Sequence, residues 1–262
     1  TYGLGMGAGV RAGATAISGL AYNASNMAAV STYNVEAFSQ IIPGSNGGTY
    51  WTIGSAISDS TTAQKLAIGT SFRGVFGGNN RRYRGWDWRS SIGVQAIPQL
   101  GIGLGFRWAQ LRSDTVDGQR VGPTFDGITM DASLTVTPIP WLKVAGLGYN
   151  LIKTYSALAP QMAGGSVSLA PVEVFSIGGD VLIDFTTFEK NELIAGAGAA
   201  YIAGELVPLR FGYRHDAGRN LNQLTAAAGF NKDKIATEVA LRQDIGGRKE
   251  TYLLIMFRYV VE

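Results

Sequence analysis

The sequence has no cysteine, one histidine and few charges, with Asp, Glu, Lys and Arg making up 16% of its 262 residues. Without cysteine there are no disulfide staples and no thiolate metal sites, which fits an oxidising envelope compartment. No run of about 18 apolar residues occurs, so no membrane-spanning helix is expected. A net charge of +3 is too small to argue for nucleic acid, and no basic stripe with interleaved aromatics stands out. Metal-ligand clusters are missing too, so neither metal nor cofactor is expected. Catalytic constellations fare no better. His215 and Asp216 are neighbours on one strand and point to opposite faces, so they cannot form a base and its orienter. Asp180 and Asp184 share a face but lie about 13 Å apart at ~3.3 Å per residue. That exceeds the ~5–9.5 Å of glycosidase carboxylates. No enzyme is expected. No signal peptide is visible, and Thr1 is expected to begin a processed chain.

What is there is strand after strand. The final stretch, Thr251 to Val261, puts Leu253, Ile255, Phe257, Tyr259 and Val261 on one face at period two. Tyr252, Leu254, Met256 and Arg258 fall on the other. Upstream, similar runs occupy 30–41, 49–58, 66–76, 85–96, 100–111, 125–136, 141–152, 161–169, 173–184, 193–202, 209–216, 221–230 and 235–243. Gly, Pro, Asn and Asp clusters separate them, as turn chemistry demands. With the last run this makes about fourteen strands. The even number requires a turn at Ala170–Pro171, which also gathers the short Pro and Asn-Lys-Asp turns on one rim. The longest connections are expected at 77–84, 112–123 and 153–160.

Across these strands one face is large and apolar, and the other is glycine, alanine and isolated charge. Leu100, Ile102, Leu104, Phe106 and Trp108 alternate with Gly101, Gly103, Gly105, Arg107 and Ala109. A soluble sandwich would bury the apolar face and carry many charges outside. A transmembrane antiparallel β-barrel, all-β, puts lipid on the apolar face and keeps its interior polar. Trp51, Trp86 and Trp108 near one set of strand ends, with Trp141, Tyr201, Phe230 and Tyr259 near the other, suit two interfacial belts. The expected lumen holds a charge network of Glu36, Arg107, Arg210, Arg214, Glu238, Arg242 and Arg258, together with Arg73, Asp87, Arg89, Asp131, Asp180, Asp184 and Asp216. Closing the barrel brings the strand of Glu36 beside that of Arg258. The network reads as a polar conduit or as a salt-bridged interior holding a plug. The 36 glycines, about twice the usual ~7%, favour the second, because flat walls allow backbone to pack closely.

Residues 1–29 are small and Gly/Ala-rich. The spacing of Gly3, Gly5, Gly7 and Gly9 lacks the strand before it and the acidic residue after it that a dinucleotide loop needs. Ser18 to Ala29 is expected to form a short helix capped by Ser18. The domain organisation is therefore an N-terminal plug or hatch, 1–29, and a single barrel domain, 30–262.

Two stretches resemble the FadL-like family of outer-membrane transporters, which includes PorV-type barrels of a secretion system. Ala21-Tyr22-Asn23-Ala24-Ser25-Asn26-Met27-Ala28 is similar to the family's N-terminal Tyr-Asn-Pro-Ala-Gly-Met-Ala segment. Val207-Pro208-Leu209-Arg210-Phe211-Gly212-Tyr213 is similar to its late Pro-Leu-Arg-Ala-Gly-Tyr strand. Ala24 and Asn26 stand where the family has Pro and Gly. The resemblance implies fourteen strands, an N-terminal plug in the lumen, a place in the Gram-negative outer membrane among membrane lipids, and passage of hydrophobic molecules. On that reading Tyr22, Asn23, Met27, Leu254 and Met256 are the candidate ligand and gate residues, and the ligand is a small, fatty-acid-like hydrophobic molecule. The other expectation is a closed, non-conducting barrel that anchors protein partners in an envelope or secretion complex. A general porin fits least, because the N-terminal segment should block flow.

Overall fold

The computed structural model describes residues 5–7, 9–45, 48–77, 81–115, 122–246 and 250–261. A 3₁₀ turn over Arg11–Gly13, helix α1 (Ala16–Tyr22) and a second 3₁₀ stretch over Ala24–Ala29 come first. Fourteen strands follow: β1 (Tyr33–Ser45), β2 (Gly48–Asp59), β3 (Leu66–Gly77), β4 (Arg81–Ile97), β5 (Leu100–Thr115), β6 (Phe125–Ile139), β7 (Leu142–Tyr149), β8 (Met162–Val172), β9 (Phe175–Asp184), β10 (Glu192–Ala203), β11 (Val207–Asp216), β12 (Leu221–Lys232), β13 (Ile235–Asp244) and β14 (Thr251–Val261). Each pairs antiparallel with its sequence neighbours, and β1 pairs with β14 to close the barrel. Closure matters because hydrocarbon offers no partner to an unpaired N–H or C=O.

The alternation read from the sequence is the alternation of the wall. On β14, Ile255 and Phe257 are 50% and 48% exposed, whereas Leu254 and Met256 are 8% and 3%. Leu104, Trp108, Phe211 and Val239 look outward, and Arg107, Asp87, Asp180 and Glu238 are buried inside. His215 stays on the outer face, where its Nδ1 and the Tyr213 hydroxyl share Asn222 Oδ1 at 2.8 and 2.6 Å. Asp216, its neighbour, is buried.

Several boundaries differ from the sequence reading. The turn expected at Ala170–Pro171 lies instead at 173–174. A register shift between Leu169 and Val172 lets Pro171 sit in β8, at a bulge where no ladder N–H is required. Pro138 lies at the corresponding irregularity of β6, between Val136 and Ile139. The strand expected to start at residue 30 begins at Tyr33, after the 3₁₀ stretch. The helix expected over 18–29 splits at Asn23, whose backbone (φ −164°, ψ 87°) is not helical, and its cap position is Thr15, which makes no side-chain cap bond. Hairpins β3–β4 and β4–β5 run further than expected, so 77–84 and 112–123 are partly strand, with 78–80 and 116–121 outside the described residues.

The strand expected over 141–152 stops at Tyr149. Asn150 takes φ 52°, and its N–H donates to Asp131 Oδ1 at 2.7 Å. The connection 150–161 then turns into the mouth. Ala159 packs with Val75, Ala109, Leu111 and Phe125, and the Leu158 carbonyl accepts from Arg107 Nη1 at 3.3 Å.

The outward assignment carries a stability prediction. Ile255→Arg puts a cation on the lipid face near mid-depth and should cost ~2–4 kcal/mol, read as a lowered urea midpoint for refolding into lipid vesicles. An unchanged midpoint would place Ile255 away from hydrocarbon.

Candidate functional site

The N-terminal segment lies against the inner faces of the strands. It has few side chains to bury, so contact is made backbone to wall. Inward-facing Gly178, Gly196, Gly198 and Gly212 leave room for the backbone of Met6, Gly7 and Gly9; a Cβ at any of them would overlap that backbone. Gly93, Gly101 and Gly103 do the same for Ala24 and Ser25. Polar groups fix the segment where the glycines admit it. Asp180 accepts from Val10 N (3.2 Å), Arg11 N (3.3 Å) and Arg11 Nη1 (2.5 Å). Asn23 Nδ2 donates to Arg11 O at 3.0 Å and to Thr135 Oγ1 at 2.8 Å. Asn26 Nδ2 donates to the carbonyls of Ala12 and Ala14 at 3.1 and 3.0 Å. Helix α1 presents Leu20 to a buried cluster with Ala24, Met27 and Ala67.

Between this segment and strands β1–β4, β13 and β14 lies a cavity of about 460 Å³. Its lining mixes the apolar residues Ile17, Leu20, Ala21, Phe38, Ala56 and Leu254 with the cations Arg73, Arg89, Arg242 and Arg258 and the acids Glu36 and Asp87. Arg258 bonds Glu36 Oε2 through Nε and Nη2, at 3.0 and 2.6 Å, across the β1–β14 seam. Asp87 holds three guanidiniums: Arg73 at 2.5 Å, Arg107 at 3.0 Å and Arg89 at 3.6 Å. Arg89 also reaches Asp131 at 3.8 Å. Arg242 differs. Its guanidinium carbon sits 3.8 Å from the centroid of the Tyr252 ring, and its buried Nε has no hydrogen-bond partner. Among the described residues no carboxylate lies within ion-pair distance of it.

The sequence-derived residues distribute as follows. Tyr22, Leu254, Glu36, Arg242 and Arg258 line the cavity together. Asn23 and Met27 are fully enclosed, at 2% and 0% exposure, and hold the segment to the wall. Met256 faces inward but does not line the cavity. Arg107 belongs to the Asp87 cluster. Arg210 pairs with Glu238 one strand pair away, and Arg214 lies 3.3 Å from Asp216, which Arg219 also holds at 2.9 Å. The sequence reading does not single out Phe38, Ile17 or Leu20. Phe38 is legible, two residues from Glu36 on the same face; Ile17 lies outside the helix expected over 18–29, and Leu20 lies inside it with nothing local to show which face meets the cavity.

A closed barrel with an apolar outside and charges enclosed is a transmembrane barrel of the outer-membrane type, and the outer membrane is its location. Its fold is that of the FadL-like channels. It is similar to the Ralstonia pickettii toluene transporter TbuX, with a TM-score of 0.73 and 12% identity over 98% of this chain and 97% of that one. It is similar to the CymD monoaromatic hydrocarbon channel, with a TM-score of 0.74 and 13% identity over 98% and 96%. A Pseudomonas aeruginosa FadL homologue gives a TM-score of 0.63 at 9% identity over 98% and 97%. At these identities the likeness is one of fold. No family profile matches the chain, and no curated protein matches its sequence.

The ion cluster makes a stability prediction. Asp87→Asn leaves three guanidiniums around a neutral amide and should destabilise by ~3–5 kcal/mol, while Arg73→Gln, at the half-exposed edge, should cost far less. Urea unfolding in detergent micelles measures both, and equal small losses would mean that water screens the cluster.

Proposed function

We propose that the barrel mediates passive uptake of small hydrophobic, fatty-acid-like molecules, with the N-terminal segment, residues 1–29, as the plug that they must pass. The observation that carries this reading is the cavity of mixed lining. Its apolar residues suit a hydrocarbon body, and Arg242 supplies a guanidinium that has no carboxylate within ion-pair distance among the described residues. Such a group binds an organic anion through charge-assisted bonds, worth about 1.5–3 kcal/mol to a desolvated partner. Tyr22 and Leu254 bound the same space and serve as ligand contacts. Asn23 and Met27 act as the gate's fastenings: passage requires their packing to loosen. The neighbours in fold include proteins described as a toluene transporter and a monoaromatic hydrocarbon channel, which supports hydrophobic cargo.

The expectation of a closed docking barrel is favoured by one observation, the two glycine patches, on β9–β11 and β4–β5, that seat the segment. That reading has the barrel co-purify with envelope proteins and bind no small molecule.

Radiolabelled decanoate should bind the purified protein, and Arg242→Gln should weaken binding by about tenfold or more, at 1.4 kcal/mol per tenfold. Vesicles holding the protein should take decanoate up faster than protein-free vesicles. No binding and no added flux would refute the proposal. Gly103→Val forces a side chain into the backbone of Ala24 and Ser25 and should unseat the segment. Single-channel current across planar bilayers should then rise above wild type, and unchanged current would mean that the segment is not what blocks the barrel.

A further inference from the structure

A second cavity lies on the other side of the N-terminal segment, at the rim of short turns that faces the periplasm. Its volume is about 230 Å³, and it is lined by Ser25, Asn26, Ala28 and Ala29 of the segment and by Gln95, Thr137 and Lys143 among the wall residues. Lys143 is inward on β7, in line with Ala145 and Leu147, which are buried. Its Nζ donates to Asn26 Oδ1 at 3.3 Å. Among the described residues it forms no ion pair, whereas most of the arginines inside the barrel have a carboxylate. An ammonium has three donors, and one is used here. The residues around it are neutral, so its field is not cancelled inside low-dielectric walls.

We infer that this cavity is a carboxylate-binding site on the exit side, with Lys143 as the cation that receives the head group. Ala28 and Ala29 border the space available to a short apolar body. The inference rests on the reading that organic acids cross this barrel, and adds where they are held before release.

The geometry also ties occupancy to the segment. Asn26 holds the carbonyls of Ala12 and Ala14 through Nδ2 and receives Lys143 through Oδ1. A carboxylate at Lys143 takes the ammonium donors that Asn26 Oδ1 leaves unused. Binding therefore ties the guest, through one ammonium, to the amide that holds the carbonyls of Ala12 and Ala14. Arg242 and Lys143 stand in cavities on either side of the segment. Residues Leu20–Ala24 of the segment border a further small space of about 10 Å³ with Ser91, Gly105, Asp131 and Tyr149.

The test is equilibrium dialysis of radiolabelled octanoate against the purified full-length protein. Arg242→Gln should leave one class of site, and adding Lys143→Gln should weaken that class about tenfold or more. Lys143→Arg should retain it. Folding of each variant is checked by heat-modifiable gel migration. A readout that a purely structural lysine would not move is hydrogen exchange across residues 24–29. It should fall with octanoate in the wild type, because the guest adds a contact beside Asn26, and stay flat in Lys143→Gln. Octanoate binding unaffected by Lys143→Gln overturns the inference, as does wild-type protein that binds no octanoate. Loss of the Arg242 effect with the Lys143 effect intact would instead refute the Arg242 seat alone.

Discussion

Pairing of β1 with β14 is the constraint on which the rest depends. In hydrocarbon an open sheet edge leaves a row of peptide groups with no partner, so the wall must return to its own start. The register of that seam is legible in its side chains. Glu36 lies directly opposite Arg258, and their hydrogen-bonded ion pair fixes the alignment as no apolar pair could. A slip of β14 by one residue would send Arg258 into lipid and Ile255 and Phe257 into the lumen, and would leave Glu36 without its partner.

Closure encloses a space, and the sequence fills it economically. Glycines on the inward face let the backbone of the N-terminal segment touch the wall directly, which removes the volume that side chains would need. A segment built from small residues buries little apolar area, so its seating depends on polar anchors. Asp180 and Thr135 serve that role, each through more than one bond, while Asn26 ties the segment to itself at Ala12 and Ala14. Small-residue packing with a few directional bonds holds a segment in one position without the large hydrophobic burial that would make its release costly.

The charges inside are unevenly matched. Asp87 draws three arginines and satisfies Arg107 with two bonds, the arrangement expected where an acid is buried and must be paired. Arg242 and Lys143 are left to a ring face and an amide. Within one lumen, some cations are held by carboxylates and others by neutral groups. The distinction lies in what each side chain meets across the bore, from strands far apart in sequence.

Residue alternation, with turn chemistry and an even strand count, pointed to about fourteen strands, to their inward and outward faces and to the strand of Glu36 lying beside that of Arg258, because period two is local and a closed antiparallel order adds only one long-range pairing. Tertiary structure decided the rest. Bulges moved the turn from Pro171 to 173–174, since a proline is tolerated in a strand wherever no partner needs its N–H. The fold of 150–161 into the mouth depended on Asp131 receiving Asn150, a contact invisible in either stretch by itself. Which of the enclosed cations lacks an acid among the described residues was likewise decided in three dimensions, because opposite walls of a barrel are brought together by curvature, and curvature has no periodicity that a sequence displays.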